Sequence, residues 1–175
     1  MPRTDVSLGL YVLASLIFFA DLIDLATYRS VCRTNYSTHI GRVGRDKNKA
    51  YDVPAAAPIQ RSAFWWLWPM ATINLMPGDT AVTLFWFNPL SPTRTDQRFA
   101  TYTPDGKTTP GLQAYARYST EVLSPEDNRL CESVQRGLAS HGYRQGRFVV
   151  DPQRSATSEH AVHHFHRLVA GALGY

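Results

Sequence analysis

The sequence predicts an α+β fold in which antiparallel strands are followed by helices. Two observations indicate it. Short aromatic and β-branched runs, each closed by proline, glycine or asparagine, occupy residues 64–103, and helical periodicity with helix-start signals continues from there to the C-terminus. Strands followed by helices are typical of α+β domains. The chain has 175 residues, 44% of them hydrophobic and 18% charged, which suits one compact domain.

Four runs predict the strands, and each ends in a turn signal. The runs are residues 64–68, 72–76, 81–87 and 97–103. A meander of antiparallel strands is the simplest arrangement. The third run carries apolar residues at both odd and even positions, so we expect this strand to be covered on both faces.

Helical spacing begins after Gly111. Leu112, Tyr115 and Ala116 indicate one helix, which extends as far as Leu123. The tetrapeptide 124–127 then predicts a second helix, with Ser124 as N-cap, Pro125 at the first position and two acids in the first turn.

The later helices are predicted from their apolar spacing. In the second helix the buried stripe consists of Leu130, Val134 and Leu138. A last helix runs from Ser158 to about Leu168, and Gly171 or Gly174 ends it.

Two N-terminal segments lack a strand pattern. Residues 8–20 form a run of thirteen residues without a charge, shorter than the ~20 that span a bilayer. This run is open to three interpretations: an apolar helix packing on the domain or a partner, a targeting or membrane segment, or a non-native start. Residues 28–49 are polar and basic, and we expect them to be irregular.

Charge and cysteine content exclude two classes of function. The net charge is +4, but the bases are spread along the chain without a run of five or six, so a nucleic-acid-binding surface is not indicated. Cys32 and Cys131 lie far apart without a C-x-x-C pair, which argues against a disulfide framework and a cysteine zinc site. We expect reduced thiols in a cytoplasmic protein.

Histidines crowd the predicted last helix. His160 and His164 share a face at i,i+4, and His163 and His166 pair at i,i+3. The H-E-x-x-H order is absent, and a metal needs a third ligand that this helix does not supply. We therefore interpret them as packing and surface histidines, with a zinc site as the alternative. His39 and His141 are isolated.

Two further features allow both a structural and a functional interpretation. Asp127 is an acid in the first turn of a helix, which the helix dipole alone explains. The F-W-W-L-W run at 64–68 is typical of a sheet core, although tryptophan faces also bind cationic ligands.

The segment from Glu126 onward resembles a known family. The motif E-D-N-R-L-C-E at 126–132, followed by S-E-H-A-V-H-H-F-H at 158–166, strongly resembles the closing segment of the large (alpha) subunit of Rieske-type non-haem iron oxygenases, the ring-hydroxylating family. Residues 66–78 and 87–95 look like the central strands of this family, and 21–29 match more weakly. The resemblance is nearest to the choline and carnitine monooxygenase branch.

This resemblance implies a helix-grip, START-like fold, here as a partial domain, with the antiparallel sheet wrapped over a long C-terminal helix. The family holds a mononuclear non-haem iron with two histidines and one carboxylate, and leaves positions open for dioxygen. By its place in the motif, Asp127 corresponds to the carboxylate ligand, and its side chain is expected in the space between the sheet and the last helix. Gln135 and Arg136 are expected to support the motif helix, and His163, His164 and His166 are expected to pack around the site.

The sequence departs from the family at two places. The family's two histidine ligands lie on a helix before the segment that resembles 21–29, but residues 1–20 contain no histidine, and the neighbours of His39 do not repeat the ligand pattern. The C-x-H and C-x-x-H motifs that hold a two-iron two-sulfur Rieske cluster are also absent. We therefore expect residues 21–175 to be the C-terminal part of an oxygenase catalytic domain, with 1–20 as an apolar leader.

The expected function follows from the resemblance. In the intact family a dioxygen-dependent hydroxylation of an aromatic or quaternary ammonium compound uses electrons from a reductase, usually in an oligomer. We expect this chain to be inactive alone. Two alternatives remain open: a non-enzymatic helix-grip module that encloses a small ligand among aromatic residues 64–68 and 85–87, and an interaction protein anchored in a membrane by residues 8–20.

Overall fold

The fold is built on a six-stranded antiparallel sheet. The computed structural model describes residues 22–44 and 51–175. The strands pair in chain order, so that each contacts its sequence neighbours. They are β1 (Arg29–Cys32), β2 (Tyr36–Arg42), β3 (Arg61–Leu67), β4 (Ala71–Leu75), β5 (Val82–Ser91) and β6 (Arg94–Tyr102).

The four predicted strands are confirmed as β3 to β6. Their connections use the turn residues that the sequence supplies. Gly78, between β4 and β5, has a φ of 120°, a conformation that glycine adopts without a steric penalty. The predicted meander is therefore correct for this part of the chain.

The prediction that residues 28–49 are irregular is wrong, because β1 and β2 lie there. In β2 the buried positions are Ser37, His39 and Gly41, which alternate with half-buried and exposed residues. Burial therefore alternates from residue to residue, as expected for a strand, but the buried residues are polar or small. Hydrophobicity along the sequence does not reveal such a strand.

The two faces of the sheet differ in cover. The inner face carries His39, Trp66 and Thr83, which cross-strand register places on the same side, and all three are buried. The outer face carries Trp65 and Trp86, and Trp86 is 41% exposed. The expectation that β5 is covered on both faces is therefore wrong for its Trp86 side.

Three helices follow the sheet: α1 (Pro110–Tyr118), α2 (Ser124–Leu138) and α3 (His160–Ala172). A π-helical turn, Ser119–Leu123, joins α1 directly to α2. The predicted N-cap role of Ser124 is wrong, because the chain enters α2 already helical and no side chain caps it. Thr109 caps α1 instead, since its hydroxyl accepts the Leu112 N–H at 3.1 Å.

The predicted buried stripe of α2 is wrong at Leu130, which is 40% exposed. Val134 and Leu138 are half-buried, and the one buried residue of α2 is Asp127. The apolar spacing misleads here because an acid occupies the position that faces inward.

The last helix begins two residues later than predicted and extends further. Its Phe165 ring meets Trp66 of the inner face edge-on, with ring centroids 4.6 Å apart and planes at 89°. Gly174, with a φ of 80°, follows its C-terminus as predicted. The antiparallel sheet packed on a C-terminal helix is therefore confirmed.

Across the described ranges, no helix is both long and apolar enough to cross a bilayer. The apolar run at 8–20 lies outside these ranges.

Candidate functional site

Asp127 lies in the first turn of α2 and is 0% exposed. A carboxyl group that lies fully in solvent on the outer face could not be the expected iron ligand. The burial of Asp127 excludes such a position. Cys131 follows one helical turn later, and its pKa is raised to about 11 by burial and by the negative charges of Asp127 and Glu132. The carboxyl of Asp127 therefore belongs to the interior of the protein.

The π-helical turn explains how Asp127 faces inward. Tyr115, Ser119, Leu123 and Asp127 are all buried at intervals of four residues. In an α-helix four residues overshoot a full turn by about 40°, so a regular helix would rotate such a stripe away from the core. The wider π turn falls short of a full turn over four residues and offsets that rotation.

Tyr115 anchors this stripe to the sheet. Its buried hydroxyl hydrogen-bonds to Thr83 of β5 and to Ser119 of the π turn. Its ring meets Tyr51 edge-on at 5.6 Å, and the Tyr51 hydroxyl donates to the Pro77 carbonyl at 3.0 Å. The helix that carries Asp127 is thus fixed against the inner face.

His39 is buried and hydrogen-bonded through both ring nitrogens. Nδ1 lies 2.9 Å from the Tyr28 hydroxyl and Nε2 lies 2.9 Å from the Ser37 hydroxyl. Burial, together with the nearby His160, lowers the pKa of His39 to about 4. Since both nitrogens are in use, His39 is a structural histidine without a nitrogen for a metal.

His160 joins α3 to β1. Its Nε2 lies 3.2 Å from the Ser30 carbonyl and 3.3 Å from the Ser30 hydroxyl, and its Nδ1 lies 3.1 Å from the Ser158 hydroxyl. A carbonyl only accepts, so Nε2 carries the proton and Nδ1 accepts from Ser158. This supports the interpretation of His160 as a packing histidine.

The other histidines of α3 lie in different surroundings. His163 and His166 pack against Phe148, at ring-centroid distances of 5.6 and 5.0 Å. His164 is half-buried, and its Nε2 is buried without a hydrogen-bond partner. In the part of the chain that the structure describes, no group of three His, Cys, Asp or Glu residues could hold a metal ion.

A cavity of about 530 Å³ lies beside the N-terminus of α1. The aromatic residues of 64–68 and 85–87, which were expected to enclose a ligand, do not line this cavity. The register also divides them between the two faces of the sheet. The residues that line it are Tyr51, Asp52, Pro54, Ala56, Ala57, Pro58, Met76, Pro77, Gly78, Asp79, Ala81, Thr83, Thr109, Pro110, Gly111, Leu112 and Tyr115.

Sequence patterns do not reveal the polar cluster that His39, His160 and their partners form on the inner face. The only signal for it was the S-x-H order at 37–39, which places a serine and a histidine on one side of a strand. The partners of His39 and His160 come from distant parts of the chain, so spacing along the sequence could not reveal them.

Residues 26–174 match the family described as "Ring hydroxylating alpha subunit (catalytic domain)". The carnitine monooxygenase oxygenase subunit of Acinetobacter baumannii is 33% identical over 153 residues, which cover 87% of this chain and 41% of that protein. The corresponding subunit of Escherichia coli K12 is 31% identical over 153 residues, which cover 87% of this chain and 40% of that subunit. The chain thus spans about two fifths of the length of these relatives.

Solved structures give the same likeness. The quaternary ammonium Rieske monooxygenase CntA in complex with an inhibitor matches with a TM-score of 0.81 and 30% identity, over 97% of this chain and 46% of that chain. The structure of CntA with its substrate γ-butyrobetaine matches with a TM-score of 0.76 and 29% identity, over 97% of this chain and 44% of that chain. The six-stranded sheet and the C-terminal helix therefore follow the catalytic fold of Rieske oxygenases.

Proposed function

Because the chain belongs to the family of ring-hydroxylating oxygenase alpha subunits, we propose that it forms part of the catalytic domain of an oxygenase that hydroxylates a quaternary ammonium compound. The names of its relatives support this substrate class, since they are carnitine monooxygenase subunits and a quaternary ammonium monooxygenase. A match of 51% over 44 residues to the choline monooxygenase of Beta vulgaris, covering 25% of this chain and 8% of that enzyme, supports it further.

Asp127 is proposed as the carboxylate ligand of the iron. The observation that carries the proposal is a fully buried carboxyl on the inward face of a helix, at the family's motif position. An anionic oxygen held by a rigid helix suits a divalent iron, since it neutralises part of the charge while other positions stay open for dioxygen. The sheet contact of Tyr115 upstream supplies the rigidity.

The described residues do not complete an iron site. No group of three donor residues is formed among them, and the nitrogens of His39 and His160 are engaged with hydroxyl groups and a carbonyl. We therefore assign no catalytic step to these residues. The proposal is that the chain alone does not bind iron tightly and does not turn over.

The finer features of the intact family belong to the same proposal. The helix-grip arrangement is supported by Phe165 and His160, which both hold α3 against the inner face. Dioxygen, a small organic substrate, an electron-transfer reductase, an oligomeric assembly and a cytoplasmic location are proposed by family likeness. A two-iron two-sulfur cluster is proposed for the intact family by the same likeness, and the C-x-H and C-x-x-H motifs that hold it do not occur in this sequence.

The proposal is tested by adding ferrous iron anaerobically to the purified chain and measuring retained iron after desalting. We expect far less than one iron per chain, in the wild type and in Asp127→Ala alike. One iron per chain in the wild type that is absent from Asp127→Ala would contradict the proposal that the chain alone does not bind iron tightly. Stoichiometric iron retained in Asp127→Ala would overturn the ligand role of this residue.

A matched control is Glu132→Gln, since Glu132 lies in the same motif but is exposed. Its iron content is expected to equal that of the wild type in every case.

A further inference from the structure

Strand β6 forms one edge of the sheet. It pairs with β5 on one side, and in the described part of the chain no strand lies on its other side. Every residue of β6 is exposed or half-buried. A strand at such an edge presents backbone N–H and C=O groups to which a further strand can bond, and its side chains control whether that pairing occurs.

The two edges of the sheet differ in length and in cover. At the opposite edge β1 has four residues, and α3 packs on it through His160 and Ser30. β6 has nine residues, none of them proline. Its aromatic side chains are partly in solvent, since Phe99 is 46% exposed and Tyr102 is 57% exposed. The β6 edge is therefore the one at which a further strand could form a ladder of several hydrogen bonds.

The charges in the middle of β6 lie on one face. Arg98 pairs with Trp86 of β5 and so lies on the outer face, and Asp96 shares that face because it is two residues away. The Arg98 Nε lies 2.8 Å from a carboxylate oxygen of Asp96, and the two side chains are 77% and 35% exposed, respectively. An exposed ion pair of this kind adds little to the stability of one chain. Both charges can also contact a second chain.

Backbone geometry limits how a second β6 could pair with this edge. In an antiparallel sheet alternate residues of a strand bond to each of its two neighbours. The residues of β6 that bond away from β5 are therefore either all odd-numbered or all even-numbered. Two copies related by a twofold axis must then pair with the axis through a residue, and the choice of that residue fixes which side chains lie opposite one another.

Only an axis through Gln97 places opposite charges against each other over more than three residues. Residues 94–100 of the two copies then overlap, and Asp96 lies opposite Arg98 of the second copy, twice by symmetry. An axis through Asp96 or Arg98 brings like charges together. An axis through Phe99 leaves both charges opposite uncharged residues. The charge pattern of β6 thus complements itself in one register.

The same axis also covers apolar surface on the inner face. It places Thr95 of one copy opposite Phe99 of the other. Phe99 stacks on Phe85 of β5, with ring centroids 5.6 Å apart, and is still 46% exposed. Pairing at the edge would therefore remove part of this ring from water.

We propose that β6 is a self-association surface, at which two copies of this chain pair antiparallel about Gln97 and join their sheets into one. The partner is a second copy because Asp96 and Arg98 complement the same two residues of another β6. Backbone hydrogen bonds and burial of Phe99 supply attraction, and the two charge contacts select the register. The proposal does not depend on a metal at Asp127, because none of its contacts involves α2.

The test measures the dimer dissociation constant of the purified chain by sedimentation velocity at neutral pH and low salt. The wild type is expected to dimerise as its concentration rises. Asp96→Arg and Arg98→Asp each place like charges opposite one another at both contacts and should weaken the dimer by about tenfold or more. Because the ion pair within one chain is exposed, neither change should unfold the protein.

Mixing the two variants tests the register itself. At these positions the Asp96→Arg strand carries two positive charges and the Arg98→Asp strand two negative charges, so a mixed dimer joins opposite charges at both contacts. We expect the mixture to form a heterodimer at least as tight as the wild-type dimer. A chain with both substitutions should dimerise like the wild type. Arg94→Asp is the matched control, because residue 94 lies opposite Ala100, and it should change the dissociation constant by less than about threefold.

Hydrogen exchange distinguishes pairing at this edge from association through another surface. In the dimer the β6 amides that face away from β5 become hydrogen-bonded. Exchange in residues 94–102 should therefore slow as the protein concentration rises, whereas exchange in β1 should stay the same.

Three results would overturn the proposal. A chain that stays monomeric at its highest soluble concentration would show that β6 does not self-associate. A dimer that neither charge reversal weakens would exclude the register about Gln97. A dimer without slower exchange in β6 would be held by another surface.

Discussion

The contact between α3 and the sheet has two ends, which use the same kinds of residue differently. At one end His39 and His160 have partners on both ring nitrogens. At the other end Trp66 and His164 each bury a nitrogen that has none. The first end is held by hydrogen bonds, whereas the second is held by the packing of aromatic rings, with Trp66 against Phe165.

The largest expected effect lies between the two ends, at Phe165. This residue is 7% exposed and packs against Trp66 and Trp68. Phe165→Ala should lower the free energy of unfolding by about 3–5 kcal/mol in urea denaturation, because it removes the ring and leaves a cavity. Leu173→Ala is the control, since Leu173 is 46% exposed and follows the same helix. A loss at Phe165 no larger than at Leu173 would show that α3 is not held by this contact.

The satisfied end should make the protein sensitive to acid. The pKa of His39 falls from 6.5 to about 4 on folding, so the unfolded chain binds the proton more readily. The contribution of the neutral His39 imidazole to the free energy of unfolding is fully present above pH 6.5 and is lost as the pH falls through 4. The total loss is about 3 kcal/mol. His39→Gln keeps a polar side chain for Tyr28 and Ser37 but does not titrate there.

Urea unfolding between about pH 7 and pH 4 measures this effect as the difference between the wild type and His39→Gln. We expect the variant to lose less stability on acidification than the wild type. Parallel curves for the two proteins would contradict the assignment of a buried neutral imidazole to His39.

Replacing His160 or His164 of α3 by leucine compares the two ends of the contact directly. His160→Leu leaves the carbonyl and hydroxyl of Ser30 and the hydroxyl of Ser158 without their shared partner. It should cost about 1–3 kcal/mol of unfolding free energy. A cost near zero would show that these hydrogen bonds do not stabilise the packing of α3 on β1.

The smallest effect is expected for His164→Leu. This change removes a buried nitrogen that lacks a partner and keeps a side chain of similar size. The free energy of unfolding should stay within about 1 kcal/mol of the wild type or rise. A loss as large as that of His160→Leu would remove the distinction between the two ends.

The parts of the fold that hydrophobic pattern determines could be predicted from the sequence. Strands β3 to β6 carry aromatic and β-branched residues closed by turn residues, and these local signals suffice. Strands β1 and β2 could not be found this way, because Ser37 and His39 occupy buried positions of β2. Their burial depends on partners such as Tyr28 and on cover from α3, which are properties of the tertiary structure.

The candidate site also has features that the sequence predicts and features that only the structure shows. Only the family resemblance distinguishes Asp127 in the sequence, because an acid in the first turn of a helix has no distinctive physical signature. Its complete burial is visible only in the structure. Its orientation depends on the π turn, which interrupts the regular helix period on which sequence patterns rely. The contact of Trp66 with Phe165 depends on the approach of α3 to β3, two elements that lie far apart in the chain.

The most direct test of the central claim, that Asp127 is an iron ligand, is the iron content of a chimeric oxygenase. In the chimera, residues 22–175 replace the matching segment of the Acinetobacter baumannii carnitine monooxygenase oxygenase subunit. Mononuclear iron is then measured in the folded chimera, in its Asp127→Asn variant and in its Glu132→Gln variant, which serves as the control. The account predicts that only Asp127→Asn loses the iron. Iron retained at the control level in Asp127→Asn would contradict it.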